Sequence, residues 1–140
     1  MKPHPWKDGE FEFEFSDLIG KTITDVQGGV GDERLVLRCA EGSFILYHSQ
    51  DCCESVSIES ITGDLSDLIG HPILMAEEST SENTPEGYTH DYEPDSQTWT
   101  FYKLATIKGY VDIRWFGSSN GYYSESVDLA FEPTEPMETA

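Results

Sequence analysis

The five residues Ser16-Asp17-Leu18-Ile19-Gly20 return unchanged as Ser66-Asp67-Leu68-Ile69-Gly70. A second echo follows, Glu54-Ser55-Val56-Ser57-Ile58 against Glu125-Ser126-Val127-Asp128-Leu129. A chain that repeats itself in the same order is built from two copies of one unit, which restricts it to folds that two similar units can form together. The first echo is offset by 50 positions and the second by 71, so the second unit carries about 21 extra residues, expected mostly between Ser79 and Gln97. The units are expected over about residues 16–62 and 66–131, inside one domain spanning 1–140, with an acidic insertion at 79–97 and a flexible tail over 133–140.

The local pattern is that of a β protein. Phe11-Glu12-Phe13-Glu14-Phe15 alternates strictly and predicts a strand whose phenylalanines share one face. Ser16 and Ser66 each precede Asp, an apolar pair and Gly, which predicts an N-cap, a short helical turn and a glycine exit. Short β-branched runs follow, at 22–26, 34–39, 44–48 and 56–61 in the first unit and 73–77, 98–107, 110–116 and 127–131 in the second. Lys108-Gly109 predicts a hairpin, and so does Ser119-Asn120-Gly121, because Asn-Gly favours tight primed turns. The expected fold is mostly β (α+β with two short helical turns), with about eight antiparallel strands from two pseudo-symmetric repeats, as a sandwich or half-open barrel.

Charge narrows the partners. The chain holds 27 acids against 8 Lys and Arg, a formal net charge of −19. Each half of the chain shares the excess, so no acidic tail accounts for it. Such a surface repels nucleic-acid phosphates and anionic membranes and favours cationic protein surfaces; solubility alone is the competing explanation. Seven Phe, seven Tyr and three Trp are too many for a disordered chain. Three cysteines, two of them adjacent, make a poor disulfide framework, and the first residues lack the apolar run of a signal peptide. A reduced, cytoplasmic setting is therefore expected, and the oligomeric state is left open.

Two segments stand out as candidate sites. Glu77 to Gln97 holds seven acids, Glu77, Glu78, Glu82, Glu86, Asp91, Glu93 and Asp95, with no Lys or Arg, and reads as a long exposed loop. Its Glu82, Glu86, Asp91, Glu93 and Asp95 are the candidate partner-binding acids, with Tyr122 and Tyr123 on a Gly-flanked loop as aromatic anchors. The other segment is Tyr47-His48-Ser49-Gln50-Asp51-Cys52-Cys53-Glu54, where His48, Asp51, Cys52 and Glu54 could ligate zinc or frame a His-activated thiol. That spacing departs from the common Cys-x2-Cys form, the second unit has no matching His or Cys, and one cysteine of the pair would face inward on any strand. No cofactor is expected on the leading reading. Asp91-x-Glu93-x-Asp95 begins like a calcium loop but lacks its glycine and final glutamate, and no phosphate-binding or hydrolase motif occurs.

The runs Leu46 to Val56, Gly63-Asp64-Leu65-x-Asp67-Leu68-Ile69-Gly70-x-Pro72-Ile73-Leu74-x-Ala76-Glu77-Glu78 and Asn120 to Val127 resemble those of a family of small uncharacterised bacteriophage and prophage proteins, over about residues 16–130. The resemblance implies no catalytic residues. It implies a small phage-type accessory protein; with the charge, the leading expectation is a protein of the host cytoplasm, leaning non-enzymatic, that inhibits a host protein by covering a basic surface, an anti-defence role in which carboxylates mimic nucleic acid. A metal- or thiol-dependent protein with its site around His48–Glu54 is the alternative, and a virion or assembly component the second.

Overall fold

The computed structural model describes residues 5–7, 10–90 and 94–134, with residues 5–7 and 10–12 by backbone alone. Its strands are β1 (Pro5–Lys7), β2 (Glu10–Glu12), β3 (Ile23–Gln27), β4 (Arg34–Cys39), β5 (Gly42–Tyr47), β6 (Ser55–Thr62), β7 (Met75–Ser81), β8 (Ser96–Thr106), β9 (Gly109–Ser119) and β10 (Asp128–Pro133). They form two antiparallel sheets, ordered β1-β2-β10-β5-β4-β3 and β6-β9-β8-β7. Eight principal strands thus make two four-stranded sheets, with the short β1 and β2 extending the first. Neither sheet closes on itself, so of the two expected architectures the sandwich is the one formed.

Each repeat supplies a 3-10 turn and four strands. The turns are Phe15–Leu18 and Leu65–Leu68. The glycines that follow, Gly20 and Gly70, both take φ of +90°, a conformation in which a side chain would be strained. They let the two turns grip each other reciprocally: Gly20 N–H donates to the Ile73 carbonyl and Gly70 N–H to the Ile23 carbonyl, both at 2.8 Å. Leu18 and Leu68 of the repeated word are fully buried, and each such leucine contributes roughly 1.5–3 kcal/mol by leaving water. The duplicated word is therefore a clasp near the pseudo-two-fold. The caps lie earlier than Ser16 and Ser66: Asp64 accepts from the Ser66 amide at 3.0 Å, and Glu14 pairs reciprocally with Asp17. A carboxylate two residues upstream reaches the free amides of these turns, and the serines become part of the turns themselves.

The fourth strands change places. β6, from the first repeat, pairs with β9 of the second, while β10, from the second, pairs with β5 of the first. Each sheet thus holds three strands of one repeat and the last strand of the other, so the chain crosses between sheets over residues 48–54 and again over 120–127. Asn120-Gly121 makes a turn but not the expected hairpin, since β9 and β10 lie in different sheets. The Asn120 side chain accepts from the Tyr122 amide at 2.9 Å, an Asx turn that redirects the chain without returning it to its neighbour. The β8–β9 hairpin forms as expected, with Thr106 opposite Gly109.

Packing explains the remaining differences. Tyr102, Leu104, Val111, Ile113 and Trp115 face the core with Leu35, Leu37, Phe44 and Leu46, obeying the two-residue period. The expected strand at 11–15 stops at Glu12; Phe13 and Phe15 are buried and stack on Phe44 and Tyr102, so the chain dives between the sheets instead of continuing flat. The extra length of the second repeat is spread out. Loop 82–95 is longer than its counterpart 28–33, and β8 and β9 each have 11 residues where β4 and β5 have 6. β7 also extends to Ser81, placing Glu77 and Glu78 in a strand.

Candidate functional site

Both crossovers leave backbone groups that no strand can pair, and each is organised by the glutamate of its Glu-Ser-Val echo. Glu54 is 4% exposed and accepts from the Asp51 amide at 2.8 Å, the Cys52 amide at 2.9 Å and His48 Nε2 at 2.7 Å. Burial pushes its carboxyl up, but the His48 bond and the amides of Cys52 and Asp51 outweigh that and hold it at about 2. The other His48 nitrogen, Nδ1, lies 2.7 Å from the Ser126 carbonyl. Both ring nitrogens face acceptors, so the ring satisfies both only when each carries a proton. Gln50 Nε2 donates to the Glu54 carbonyl at 2.6 Å, and the Ser49 amide to Asp128 Oδ2 at 2.7 Å. His48 and Ser49 thereby bolt one crossover to the start of the strand that follows the other.

Glu125, 7% exposed, does the equivalent work with hydroxyls. Thr98 Oγ1 donates to it at 2.8 Å and Ser119 Oγ to its other oxygen, while Ser119 Oγ also accepts from the Gly121 amide. The first crossover is thus held by a histidine–carboxylate hydrogen bond with backbone amides, the second by hydroxyl side chains.

The structure brings His48, Asp51, Cys52 and Glu54 together, but in other roles than ligands. Glu54 spends its polar atoms on the loop and His48 on Glu54 and the other crossover, and Cys52 is joined to Cys53 by a disulfide. The sequence pattern leaves those adjacent cysteines unpaired and turns one inward. Instead Glu54, by taking the amides of Asp51 and Cys52, bends the chain so that both cysteines sit exposed on the loop. Among the described residues no group of three or more His, Cys, Asp or Glu is arranged to hold a metal ion.

The partner-binding candidates share one end of the sandwich with these crossovers. Loops 28–33, 48–54, 82–95 and 120–127 all leave from that end, as the strand registers require. Glu82, Glu86 and Asp95 are exposed; Asp91 and Glu93 lie outside the described residues. Tyr122 is 83% exposed and its ring meets that of Tyr123 edge-on, with centroids 5.1 Å apart.

Loop 82–95 is more than an acidic excursion. Tyr88 and His90 fold onto the outer face of the second sheet, Tyr88 stacking on Trp99 at 4.9 Å and His90 on Phe116 at 5.4 Å. Gln97 Oε1 gathers Thr84, His90 and the Trp99 indole N–H within 3.2 Å. Trp99 is fully buried on a face that otherwise looks to solvent. Beside this roof lies an open groove of about 470 Å³ lined by Phe101, Lys103, Asp112, Arg114, Glu77 and Ser79 among others. Arg114 spans its floor, ion-paired to Glu59 at 2.7 Å with its guanidinium 5.3 Å from the Trp99 ring. The signal for this face was present as Trp99-x-Phe101-x-Lys103 and Asp112-x-Arg114-x-Phe116, alternate positions opposite the core residues of the same strands. Aromatics on alternate positions read equally well as core, so the pattern alone does not assign them to this face.

No helix among the described residues is long and apolar enough to cross a membrane. A protein-family model described as a domain of unknown function (DUF7448) matches residues 16–129. No curated protein and no solved structure matches the chain.

Proposed function

Because the chain belongs to the DUF7448 family, which is described without an activity, we propose its role from its own chemistry: an acidic binding protein that covers a cationic surface of a host protein, as an inhibitor or nucleic-acid mimic of the kind phages direct against host defences. The observation that carries this reading is how the few cations are used. Lys21 pairs with Glu41, Arg38 with Asp25 and Arg114 with Glu59, and Lys103 stands between Glu77 and Asp112 across the strands. Three of the described cations are thus held in ion pairs within the protein, while the carboxylates of Glu82, Glu86 and Asp95 face outward. Glu82, Glu86 and Asp95, exposed at the end that also presents Tyr122, form the acidic rim of the proposed interface, with Tyr122 and Tyr123 as its aromatic centre. Asp91 and Glu93, candidates by sequence, lie outside the described residues. The setting proposed is the host cytoplasm, without a cofactor.

The test is retention of a partner from bacterial lysate at low and high ionic strength, followed by competition with duplex DNA for the purified partner. Retention should fall with salt, because exposed charges lose one another beyond about 10 Å at 0.1 M. The combined change Glu82→Lys, Glu86→Lys, Asp95→Lys should slow association roughly tenfold or more with an unchanged melting temperature. A partner held equally at high salt, or unaffected by the triple change, overturns the electrostatic reading.

A further inference from the structure

The four sheet edges are not equally guarded. β1 starts with a proline and is irregular between Pro5 and Lys7. β3 is bulged between Ile23 and Asp25, and the Ile23 carbonyl is taken by Gly70. β6 is bulged between Ile58 and Ser60, and the tip of the β3–β4 hairpin covers it: the Ile58 amide donates to Asp32 at 2.9 Å and its carbonyl accepts from Gly31 at 2.8 Å. These are the usual means by which natural sheets block addition of a further strand.

β7 has none of them. Met75–Ser81 contains no proline or lysine and pairs with β8 residue for residue without a register shift. Among the described residues its backbone hydrogen bonds run to β8 alone. The first 3-10 turn packs near it, yet Glu77 to Thr80 are exposed. Among the described residues the edge is regular in register and carries no further strand, next to the groove over Phe101.

The side chains say what would fit there. Across the outer face one row reads Asp112, Lys103, Glu77: an alternating-charge ladder that ends in an acid at the open edge. Opposite charges on directly facing positions stabilise neighbouring strands by roughly 0.2–1 kcal/mol, and like charges oppose them. The next position in the row therefore favours a cation. On the inner face Glu78, which accepts from the Tyr102 hydroxyl at 2.7 Å, is likewise exposed at this edge. A second copy of this chain fits poorly, since two β7 strands would bring Glu77 and Glu78 against each other on molecules of charge −19.

We propose that β7 accepts an extended, Lys- or Arg-bearing segment of the partner protein as an added strand of the second sheet, placing a cation opposite Glu77. This rests on the cationic-partner reading above and adds its mode of binding. The added backbone supplies hydrogen bonds, and its alternate side chains overhang the groove of Phe101 and Lys103, where selectivity resides.

The experiment uses two synthetic peptides of equal charge, Thr-Lys-Val-Lys-Val-Lys-Thr and the same peptide with its first valine replaced by proline, which cannot continue a strand ladder. Binding is followed by amide chemical shifts and hydrogen exchange of the full chain. The first peptide should shift and protect amides of Met75–Ser81 and bind about tenfold more tightly than the proline peptide. Glu77→Lys should abolish that preference and Glu77→Gln should weaken it, the milder change serving if the first unsettles the sheet; Glu86→Lys should leave it intact. Equal binding of both peptides, or shifts confined to loop 82–95, overturns the added strand while leaving a charge-driven partner standing. A dimer of the free protein that occludes β7 in light scattering and hydrogen exchange also overturns it. A partner held equally at low and high salt in the retention test, by contrast, removes the cationic reading itself.

Discussion

The two crossovers do the same mechanical job with different chemistry. Residues 48–54 and 120–127 each carry the chain from one sheet to the other, and each contains a buried glutamate of the Glu-Ser-Val echo. Glu54 must serve two backbone amides and an imidazole with its two oxygens, and every one of those donors is fixed in direction. Glu125 serves the hydroxyls of Thr98 and Ser119, which rotate and can accept as well as donate. A repeated residue in a repeated place is therefore under unequal constraint. Position in the fold sets where the carboxylate goes, and the donors around it decide whether anything else could stand there.

Substitutions sharpen that contrast, beginning with the largest effect. Glu54→Gln replaces an acceptor oxygen by an NH2 that must face a backbone N–H or the imidazole, so at least one buried donor loses its partner. The melting temperature is expected to fall by on the order of ten degrees in a thermal scan. The same change flattens the acid limb of stability. The folded Glu54 sits at about 2 against an ordinary 4.5, so below 4.5 the unfolded state binds the extra proton. The stabilisation is complete above about 4.5 and drains away as pH falls toward 2. Urea midpoints measured across that window should decline less steeply in the glutamine variant than in the wild type.

Gly117→Ala comes next. A Cβ there would lie 2.6 Å from the Glu125 carbonyl oxygen and 3.2 Å from Val56 Cγ2, so the second crossover must be pushed off β9. A loss of about 1–3 kcal/mol is expected from urea unfolding, with resonances of Glu125 and Val56 the most displaced. Glu125→Gln is the smallest change, about 1 kcal/mol or less, because a hydroxyl at Thr98 or Ser119 can turn to accept from the new amide. If it cost as much as Glu54→Gln, the two glutamates would be equivalent and the distinction between the crossovers would vanish.

Much of the scaffold was legible before any coordinates. Arg34–Cys39 matches its expected bounds, the Lys108-Gly109 hairpin forms, and Val111, Ile113 and Trp115 share the core face as their alternation requires. These features rest on local rules of period and turn chemistry. The site was less legible. Tyr122 is exposed on its loop, and His48 and Glu54 do lie in contact, but the spacing that suggested a ligand set describes a loop tied by its own carboxylate. The aromatic roof over Trp99 was hidden for a related reason: Tyr88 and His90 sit in an acidic, aliphatic-poor stretch, and only their contact with Trp99 and Phe116 gives them a place.

By itself the sequence determined that there are two units, that each begins with a glycine-closed turn and continues as antiparallel strands, and that the surface is strongly acidic. All of these follow from residue identity, short-range periodicity and composition. The exchange of β6 and β10, the burial of Glu54 and Glu125, the union of Cys52 with Cys53 and the openness of β7 were decided only by the tertiary structure. A two-residue turn compels its flanking strands to pair, but the segments at 48–54 and 120–127 are long enough to reach either sheet. Which sheet they reach depends on packing between residues far apart in the chain.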